Sequence, residues 1–177
     1  MTQLISEVRT RWKLDDGVVF EEFVRWDGAC TSFDEQKNNM LYKQKHVVIS
    51  FERLLVLDSG FEISIPVHET PYLLSDRTGV LVVFEQEPSK FNCPEAPWFF
   101  DFPNNAAIYN ADGSLRFQLH NPEGEGSYIG AVHYAAMPNH PDALGVLVGT
   151  VGHDPEWLYL VDCNSPEIIS TGKWIRY

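Results

Sequence analysis

The amino-acid sequence predicts a mainly β protein, with antiparallel meander, sandwich or propeller-like sheets and little helix. Two observations lead to this prediction. Apolar and polar residues alternate with a period of two over many short segments, which is typical of strands with one buried face. Loops that contain Asp-Gly or proline separate these segments, and such loops favour the backbone conformations of tight turns.

The first half of the chain begins with a predicted hairpin. Residues 4–13 and 18–26 flank Asp15-Asp16-Gly17, whose Asp-Gly pair favours a tight turn. Three more strands are predicted at 47–57, 61–65 and 79–85. The last of these contains an uninterrupted apolar run from Val80 to Phe84, which predicts a strand that is buried on both faces.

The second half repeats this pattern after a proline-containing stretch. Residues 106–110 and 115–119 flank Asp112-Gly113, which is the clearest hairpin signal in the chain. Further strands are predicted at 129–136, 144–151, 157–162 and 168–177. Helices at 34–45 and at 50–57 are an open alternative. Neither segment has strong capping signals or a strong helical periodicity.

Residues 1–177 are predicted to form one β-rich domain. A chain of 177 residues is long enough for one hydrophobic core and short for two. Its five tryptophans are spread along the whole length, which favours a core to which all parts of the chain contribute. The proline-containing stretch allows a division into two subregions, 1–88 and 95–177.

The chain carries a formal charge of −12, which is unevenly distributed. Between Phe91 and Gly172 the only lysine or arginine is Arg116. The same stretch contains ten acidic residues: Glu95, Asp101, Asp112, Glu123, Glu125, Asp142, Asp154, Glu156, Asp162 and Glu167. Such a surface repels nucleic acids and anionic lipids and attracts a basic partner. The alternative is that the acidity serves solubility alone.

Cysteine usage and the N-terminal residues predict a cytoplasmic protein without disulfide bonds. Cys30, Cys93 and Cys163 form an odd, widely spaced set without a Cys-x-x-Cys pair. Residues 1–13 lack the basic start and the apolar run of a secretory signal. No segment reaches the roughly 18 apolar residues that a membrane helix requires.

No catalytic motif is recognisable, so the sequence predicts a binding protein and not an enzyme. The glycine-rich segment 124–130 lacks the spacing of a dinucleotide loop and leads into a strand, so that no helix N-terminus would hold a phosphate. The six histidines are His46, His68, His120, His133, His140 and His153. Their spacing does not force ligands to converge, and neither a metal site nor a cofactor is predicted.

The segment from Ala96 to Pro103 has four aromatic residues bracketed by prolines. Aromatic side chains contribute much of the binding energy at protein interfaces, so one interpretation is an exposed recognition patch. The other interpretation is a buried strand or core plug, which is the commoner role of such a run.

Three segments of the second half resemble a known class of proteins. They run from Ile108 to Arg116, from Leu144 to Gly149 and from Ser170 to Arg176. Their turn and strand patterning resembles that of β-rich immunity proteins from bacterial antagonism systems, including those paired with type VI secretion effectors. The resemblance covers under half of the chain, from residue 105 onward. It implies a protein that binds a cognate toxin tightly and covers or distorts the active site of that toxin.

Together, the charge and this resemblance predict an immunity protein that neutralises a toxin through an acidic surface. If the toxin is a nuclease, its cleft is basic, and an acidic protein occupies it as a phosphate mimic. The predicted partner-binding residues are Asp112, Glu123, Glu125, Asp154, Glu156, Trp98 and Trp157. The expected partner is a basic protein, and direct binding to nucleic acid or membrane is not expected.

Two other functions remain open. A small-ligand or carbohydrate-binding β module requires two or three tryptophans that lie coplanar on one face of the protein. An enzyme whose site is assembled from distant loops requires a deep pocket in which a histidine or cysteine lies beside a carboxylate.

Overall fold

The structure, a computed structural model, describes residues 2–176 apart from the side chains of His153 and Asp154. Strands account for 47% of the chain and helix for 6%, which confirms the mainly β prediction. The elements are β1 (Ile5–Leu14), β2 (Val19–Arg25), α1 (Phe33–Lys43), β3 (Val48–Leu57), β4 (Glu62–Ile65), β5 (Tyr72–Leu73), β6 (Gly79–Val83), β7 (Ala106–Asn110), β8 (Leu115–Gln118), β9 (Ser127–Tyr134), β10 (Leu144–Thr150), β11 (His153–Val161) and β12 (Ile168–Ile175). Among the described residues, no helix has the length and apolar character needed to cross a bilayer.

These strands form three antiparallel sheets of four strands each. Sheet 1 has the order β2-β1-β3-β4, sheet 2 the order β5-β6-β7-β8, and sheet 3 the order β12-β11-β10-β9. Sheets 2 and 3 are simple meanders, because their neighbouring strands follow one another along the chain. In sheet 1, β3 pairs with the edge of β1 that the predicted first hairpin leaves open.

Sheet 2 lies between the other two sheets and buries both of its faces. One face, which includes Val80 and Val82, packs with residues of sheet 1 such as Leu55. The opposite face, which includes Leu81, packs with residues of sheet 3 such as Val146. Alternate residues of β6 therefore point into two different cores, which explains why the sequence of β6 is apolar without interruption.

The aromatic segment between residues 96 and 103 packs against the core that sheets 1 and 2 share. Phe99 is buried, and Trp98 stacks on Tyr109 with the ring centroids 5.4 Å apart. The hydroxyl of Tyr109 donates a hydrogen bond to the carbonyl oxygen of Pro97. Of the two interpretations of this segment, the structure supports the core plug.

Helix α1 begins at a capping motif that the sequence does contain. The hydroxyl of Ser32 accepts a hydrogen bond from the backbone N–H of Glu35 at 3.3 Å. A serine followed three residues later by glutamate is a typical helix-start signal, and it identifies the first of the two helical alternatives as the correct one. The second alternative, residues 50–57, is instead part of β3 and pairs with β1.

Helix α1 turns polar side chains toward sheet 1 and apolar side chains toward solvent. Asn39 is its buried residue at 7% exposure, whereas Phe33 is 76% exposed. The amide of Asn39 donates to the carboxylate of Glu22 at 3.3 Å, and the Lys43 ammonium lies 3.6 Å from the centre of the Trp12 ring. Polar and cation–π contacts thus hold the helix, and hydrophobic periodicity does not predict such a helix.

The β7–β8 turn depends on a glycine that also lies against sheet 1. Gly113 has a φ of 82°, and a Cβ atom there would lie 3.1 Å from the Cγ2 methyl of Ile63. We expect Gly113→Ala to lower the free energy of unfolding by about 2 kcal/mol, because left-handed strain and crowding act together. Gly17 has a similar φ of 87° with open space around it, so Gly17→Ala should cost only about 1 kcal/mol. Equal costs in chemical denaturation would show that the contact with Ile63 is unimportant.

Candidate functional site

Two loops of the second half meet at one end of sheet 3. The backbone N–H of Val151, in the β10–β11 turn, donates to the carbonyl oxygen of Gly126, in the β8–β9 loop, at 2.9 Å. This contact brings residues from the β8–β9 loop close to the residues that follow the turn. We call the following set the acidic end of sheet 3: Glu123, Glu125, Glu156, Trp157 and Trp174.

Two tyrosines orient carboxylates at the acidic end. The hydroxyl of Tyr159 donates to Glu123, and the hydroxyl of Tyr128 donates to Glu156 at 2.8 Å. Burial, together with the hydrogen bond and the negative charge of Glu123, raises the pKa of Tyr159 to about 12. The Tyr159 hydroxyl therefore remains a neutral donor at physiological pH, and each of the two carboxylates keeps an oxygen for an external partner.

Two tryptophans lie side by side at the same end of the sheet. Trp157 of β11 pairs in register with Trp174 of β12, and the two side chains are 42% and 50% exposed. Trp157 shares a face of β11 with Tyr159, because alternate residues of a strand point to the same side. This places Trp157 on the side of the sheet where Tyr159 holds Glu123, whereas the adjacent Glu156 points to the opposite side, toward Tyr128.

The carboxylates of the second half are largely unpaired. Nine of the ten acidic residues between 91 and 172 have described side chains, Asp154 being the exception. Among the described residues, only Glu167 of this set lies within ion-pair distance of a basic side chain, that of His120. Arg116 instead donates to neutral acceptors on Asn110, Thr78 and Cys163. The negative charge of this half is therefore available to a partner.

The outer face of sheet 1 shows the opposite arrangement. Arg9 and Arg11 form ion pairs of 2.6 to 3.4 Å with four carboxylates, those of Glu7, Glu21, Glu52 and Glu62. Charges in this network neutralise one another locally. Arginine thus pairs with many carboxylates of sheet 1, whereas the stretch from 91 to 172 has only one arginine and leaves its described carboxylates almost without ion pairs.

Not all of the predicted partner-binding residues belong to the acidic end. Asp112 lies in the β7–β8 turn, at the opposite end of sheet 2 from Asn105, which contacts the start of β9. Hydrogen bonds from Ser114 hold the pKa of Asp112 below its usual value. Trp98 packs on the face of sheet 2 that is turned toward sheet 1. The side chain of Asp154 lies outside the described part of the chain.

A second candidate site is a cleft of about 400 Å³ where the three sheets meet. We call it the central cleft. Its lining comes from Arg53 of β3, from the chain between 68 and 72, from residues 83–85 at the end of β6, and from residues 129–132 of β9. The cleft therefore combines segments that are far apart in sequence.

Arg53 is the buried cation of the central cleft. Its guanidinium donates twice to the carbonyl oxygen of His68, at 2.7 and 3.1 Å, and also to the hydroxyls of Thr10 and Thr70. Among the side chains that the structure describes, no carboxylate lies within ion-pair distance of it. Burial lowers the pKa of Arg53 to about 10, although attraction to Glu69 offsets part of this effect. Neutral oxygens and the face of the Phe51 ring, whose centroid lies 4.7 Å from the guanidinium carbon, thus stabilise the charge of Arg53.

Glu69 is the half-buried acid of the same cleft, and burial raises its pKa above the ordinary value of 4.5. A carboxyl group with a raised pKa in the folded state binds its proton more tightly there than in the unfolded chain. Stability is therefore lost as the pH rises from the unfolded pKa through the folded pKa. We expect Glu69→Gln to gain stability relative to the wild type across that window.

This expectation is checked by urea denaturation of Glu69→Gln and of the wild type at about pH 4 and about pH 7. The exposed Glu87→Gln serves as control for the loss of one surface charge. For each variant, the difference from the wild type in the free energy of unfolding is compared between the two pH values. If this difference grows no more for Glu69→Gln than for Glu87→Gln, burial does not destabilise the charge of Glu69.

The central cleft meets the requirement for an assembled enzyme site only in part. His68 and Glu69 both line it, but the His68 ring contacts the rings of Phe51 and Phe91, at centroid distances of 5.0 and 6.3 Å. Among the described residues, no hydrogen bond joins this ring to a carboxylate. A second cavity includes Cys163, whose pKa is raised by burial and by Asp76, so the thiol stays protonated.

One cluster has metal-ligand chemistry that the sequence spacing did not reveal. The ligand atoms of Asp15, Asp16 and His46 lie within 4.8 Å of one another at the surface. The His46 Nδ1 atom lies 3.1 Å from Asp15, and the hydroxyl of Tyr42 donates to Asp16 at 2.6 Å. Hydrogen bonds within the cluster account for its geometry.

Two tryptophans come close to the requirement for a stacking platform, although the Arg176 guanidinium lies over the ring of one of them, Trp174, at 5.4 Å from its centroid. Trp157 and Trp174 are neighbours, but Trp12, Trp26 and Trp98 lie under or against Lys43, Arg77 and Tyr109 respectively. The sequence predictions did not include Trp174 or Arg53 as site residues. Trp174 could have been predicted as a site residue only if the alignment of β12 with β11 had been known. For Arg53, the sequence contains no local signal of a site.

Comparison of the chain with family models, with curated proteins and with solved structures found no significant match.

Proposed function

We propose that this protein is a non-catalytic inhibitor that binds a basic protein, a bacterial toxin, through the acidic end of sheet 3. One observation carries the proposal: at one end of sheet 3, Glu123 lies on the face of the exposed Trp157 and Glu156 lies on the other face, and no basic side chain among the described residues forms an ion pair with either carboxylate. Exposed aromatic residues are enriched at protein interfaces, and charged residues are accommodated at the polar rim around them.

The distribution of charge favours this reading over solubility alone. Acidity that serves solubility needs no particular position, yet Arg9 and Arg11 pair with four carboxylates of sheet 1, whereas the described carboxylates around sheet 3 lack such arginine partners. Exposed tryptophans work against solubility, because they add apolar surface. Their presence beside the carboxylates is explained by a partner that covers both.

The two kinds of side chain have different roles in the proposed complex. The carboxylates steer a basic partner and raise the association rate, an effect that salt weakens. The tryptophans supply buried contact area and so slow dissociation. If the toxin acts on nucleic acid, the carboxylates occupy the positions of substrate phosphates in its cleft. Such a complex typically buries about 1,200 to 2,000 Å² in total.

The test is a comparative capture experiment in the organism that encodes the protein. The wild type and the variant Glu123→Lys/Glu125→Lys/Glu156→Lys are used as baits against the same lysate. A protein that binds the wild type and is lost with the variant is then expressed alone and together with the wild type. We expect that protein to be basic, to be toxic alone and to be harmless in co-expression.

The matched control has the same change of charge at other exposed loop positions: Glu87→Lys/Glu95→Lys/Asp142→Lys. It should still capture the partner, and both variants should unfold near the temperature of the wild type. If the control loses the partner to the same extent, net charge and not the acidic end is responsible. A captured partner without toxicity would contradict the inhibitor function.

A further inference from the structure

The central cleft holds charges of both signs that do not form ion pairs with one another. Arg53 lines it as a cation, and Glu69 and Glu85 line it as carboxylates. Neither carboxylate lies within ion-pair distance of Arg53, since the described residues show no such pair. On the outer face of the same sheet, arginines and glutamates do pair, so the separation in the cleft is a specific feature.

Keeping these charges apart is unfavourable for the protein alone. A buried charge loses hydration, and an ion pair with good geometry is the usual compensation. The Glu69 carboxylate accepts one long hydrogen bond, of 3.5 Å, from the side-chain amide of Asn92, and the Asn92 Oδ1 atom is itself buried without a hydrogen-bond donor. The region around Glu69 is therefore incompletely satisfied in the isolated chain.

The remaining lining gives the cleft an apolar side. The partly buried Val83 and Val132 contribute aliphatic surface to it, backed by the core residues Phe84 and Ile129. An apolar wall with a few convergent polar groups is typical of small-molecule sites, which span about 300 to 1,000 Å³. The volume of about 400 Å³ lies within this range and is suited to a molecule of the size of one or two amino acids.

We propose that the central cleft binds a small zwitterion, a free amino acid or dipeptide with an apolar side chain. Its carboxylate contacts Arg53, which has five N–H groups and donates four hydrogen bonds to protein acceptors. Its ammonium group lies toward Glu69 and Glu85. Its apolar side chain packs on the wall that β6 and β9 form. This inference goes beyond the proposed inhibitor function, and neither depends on the other.

The test uses isothermal titration calorimetry with four probes. L-leucine and L-leucyl-L-leucine carry both charges, 4-methylpentanoate carries only the carboxylate, and 3-methylbutylamine carries only the ammonium group. We expect at least one of the two zwitterions to bind the wild type, and each half-probe to bind at least about tenfold more weakly. Comparison of the affinities for leucine and for the dipeptide shows which distance between the ammonium and carboxylate groups the cleft accepts.

Variants assign the binding to the cleft. Arg53→Gln, Glu69→Gln and Glu85→Gln should each weaken binding of the zwitterion by about tenfold or more. Glu87→Gln, an exposed change beyond the cleft lining, should bind as the wild type does. If Arg53→Gln does not fold, the two glutamate variants carry the test, because their substitutions remove charge with little change of shape.

Three results would overturn the proposal. One is the absence of binding heat for both zwitterions up to about 10 mM. Another is equal affinity for a zwitterion and for one of the half-probes, which would show that only one charge is recognised. The third is binding that all folded cleft variants retain.

Discussion

Replacement of Asn105 by alanine is expected to lower the free energy of unfolding by about 3 to 5 kcal/mol. Asn105 has 0% exposure and joins sheet 2 to sheet 3. Its amide nitrogen donates to the carbonyl oxygens of Phe84 and Ile129 at 2.7 Å, and its amide oxygen accepts from the backbone N–H of Ile129 at 2.8 Å. Alanine leaves three buried backbone groups without partners, which is a large loss relative to the 5 to 15 kcal/mol stability of typical domains.

Chemical denaturation measures this effect, and Asn38→Ala on the exposed side of α1 is the control. Asn105→Asp adds a second readout. An ionised aspartate has only acceptor oxygens and would repel the carbonyl oxygens of Phe84 and Ile129, whereas the protonated acid can donate a hydrogen bond to one of them. Burial raises the pKa of such a carboxyl group, so the instability of Asn105→Asp should grow as the pH rises. A loss below about 1 kcal/mol for Asn105→Ala would show that water or local movement replaces these hydrogen bonds.

The double substitution Trp157→Ala/Trp174→Ala is expected to weaken the proposed complex by about 100-fold or more. Truncation of a central tryptophan typically costs 2 kcal/mol or more of binding free energy, because buried aromatic contacts hold interfaces together. The loss should appear mainly in the dissociation rate. Because both side chains are about half exposed, the stability of the free protein should change far less than the affinity.

Surface plasmon resonance with the captured partner separates this effect from that of charge. The lysine variant of the acidic end should lower the association rate and flatten its dependence on salt, whereas the tryptophan variant should raise the dissociation rate. Ile169→Ala is the control, because Ile169 is similarly exposed on the opposite face of sheet 3. Equal losses for this control and for the tryptophan variant would exclude a specific role of the tryptophans.

Local patterns predicted most of the strands, because turns and alternation depend on neighbouring residues. The Asp112-Gly113 hairpin and the doubly buried run from Val80 to Phe84 are both present as predicted. The two-residue strand β5 has too few residues to show a period, and it exists because it pairs with β6. Helix α1 has a readable cap at Ser32, but its polar side faces the protein, so its periodicity was misleading.

The candidate site was predictable only in part. Composition identified the acidic second half, and Glu123, Glu125, Glu156 and Trp157 do lie at one end of sheet 3. Asp112 and Trp98 do not lie there. Asp112 follows the far end of β7, and Trp98 packs on the face of sheet 2 that is turned toward sheet 1. Neither the end of a strand nor the face of a sheet can be derived from residue type.

By itself, the sequence determined the strand content, the turns and the unequal distribution of charge, because these properties follow from each residue and its near neighbours. Only the tertiary structure decided which carboxylates lack a basic partner, how Trp174 comes beside Trp157, and how Arg53 reaches a cleft shared by three sheets. Those features depend on the packing of segments far apart in the chain. No local pattern contains that information.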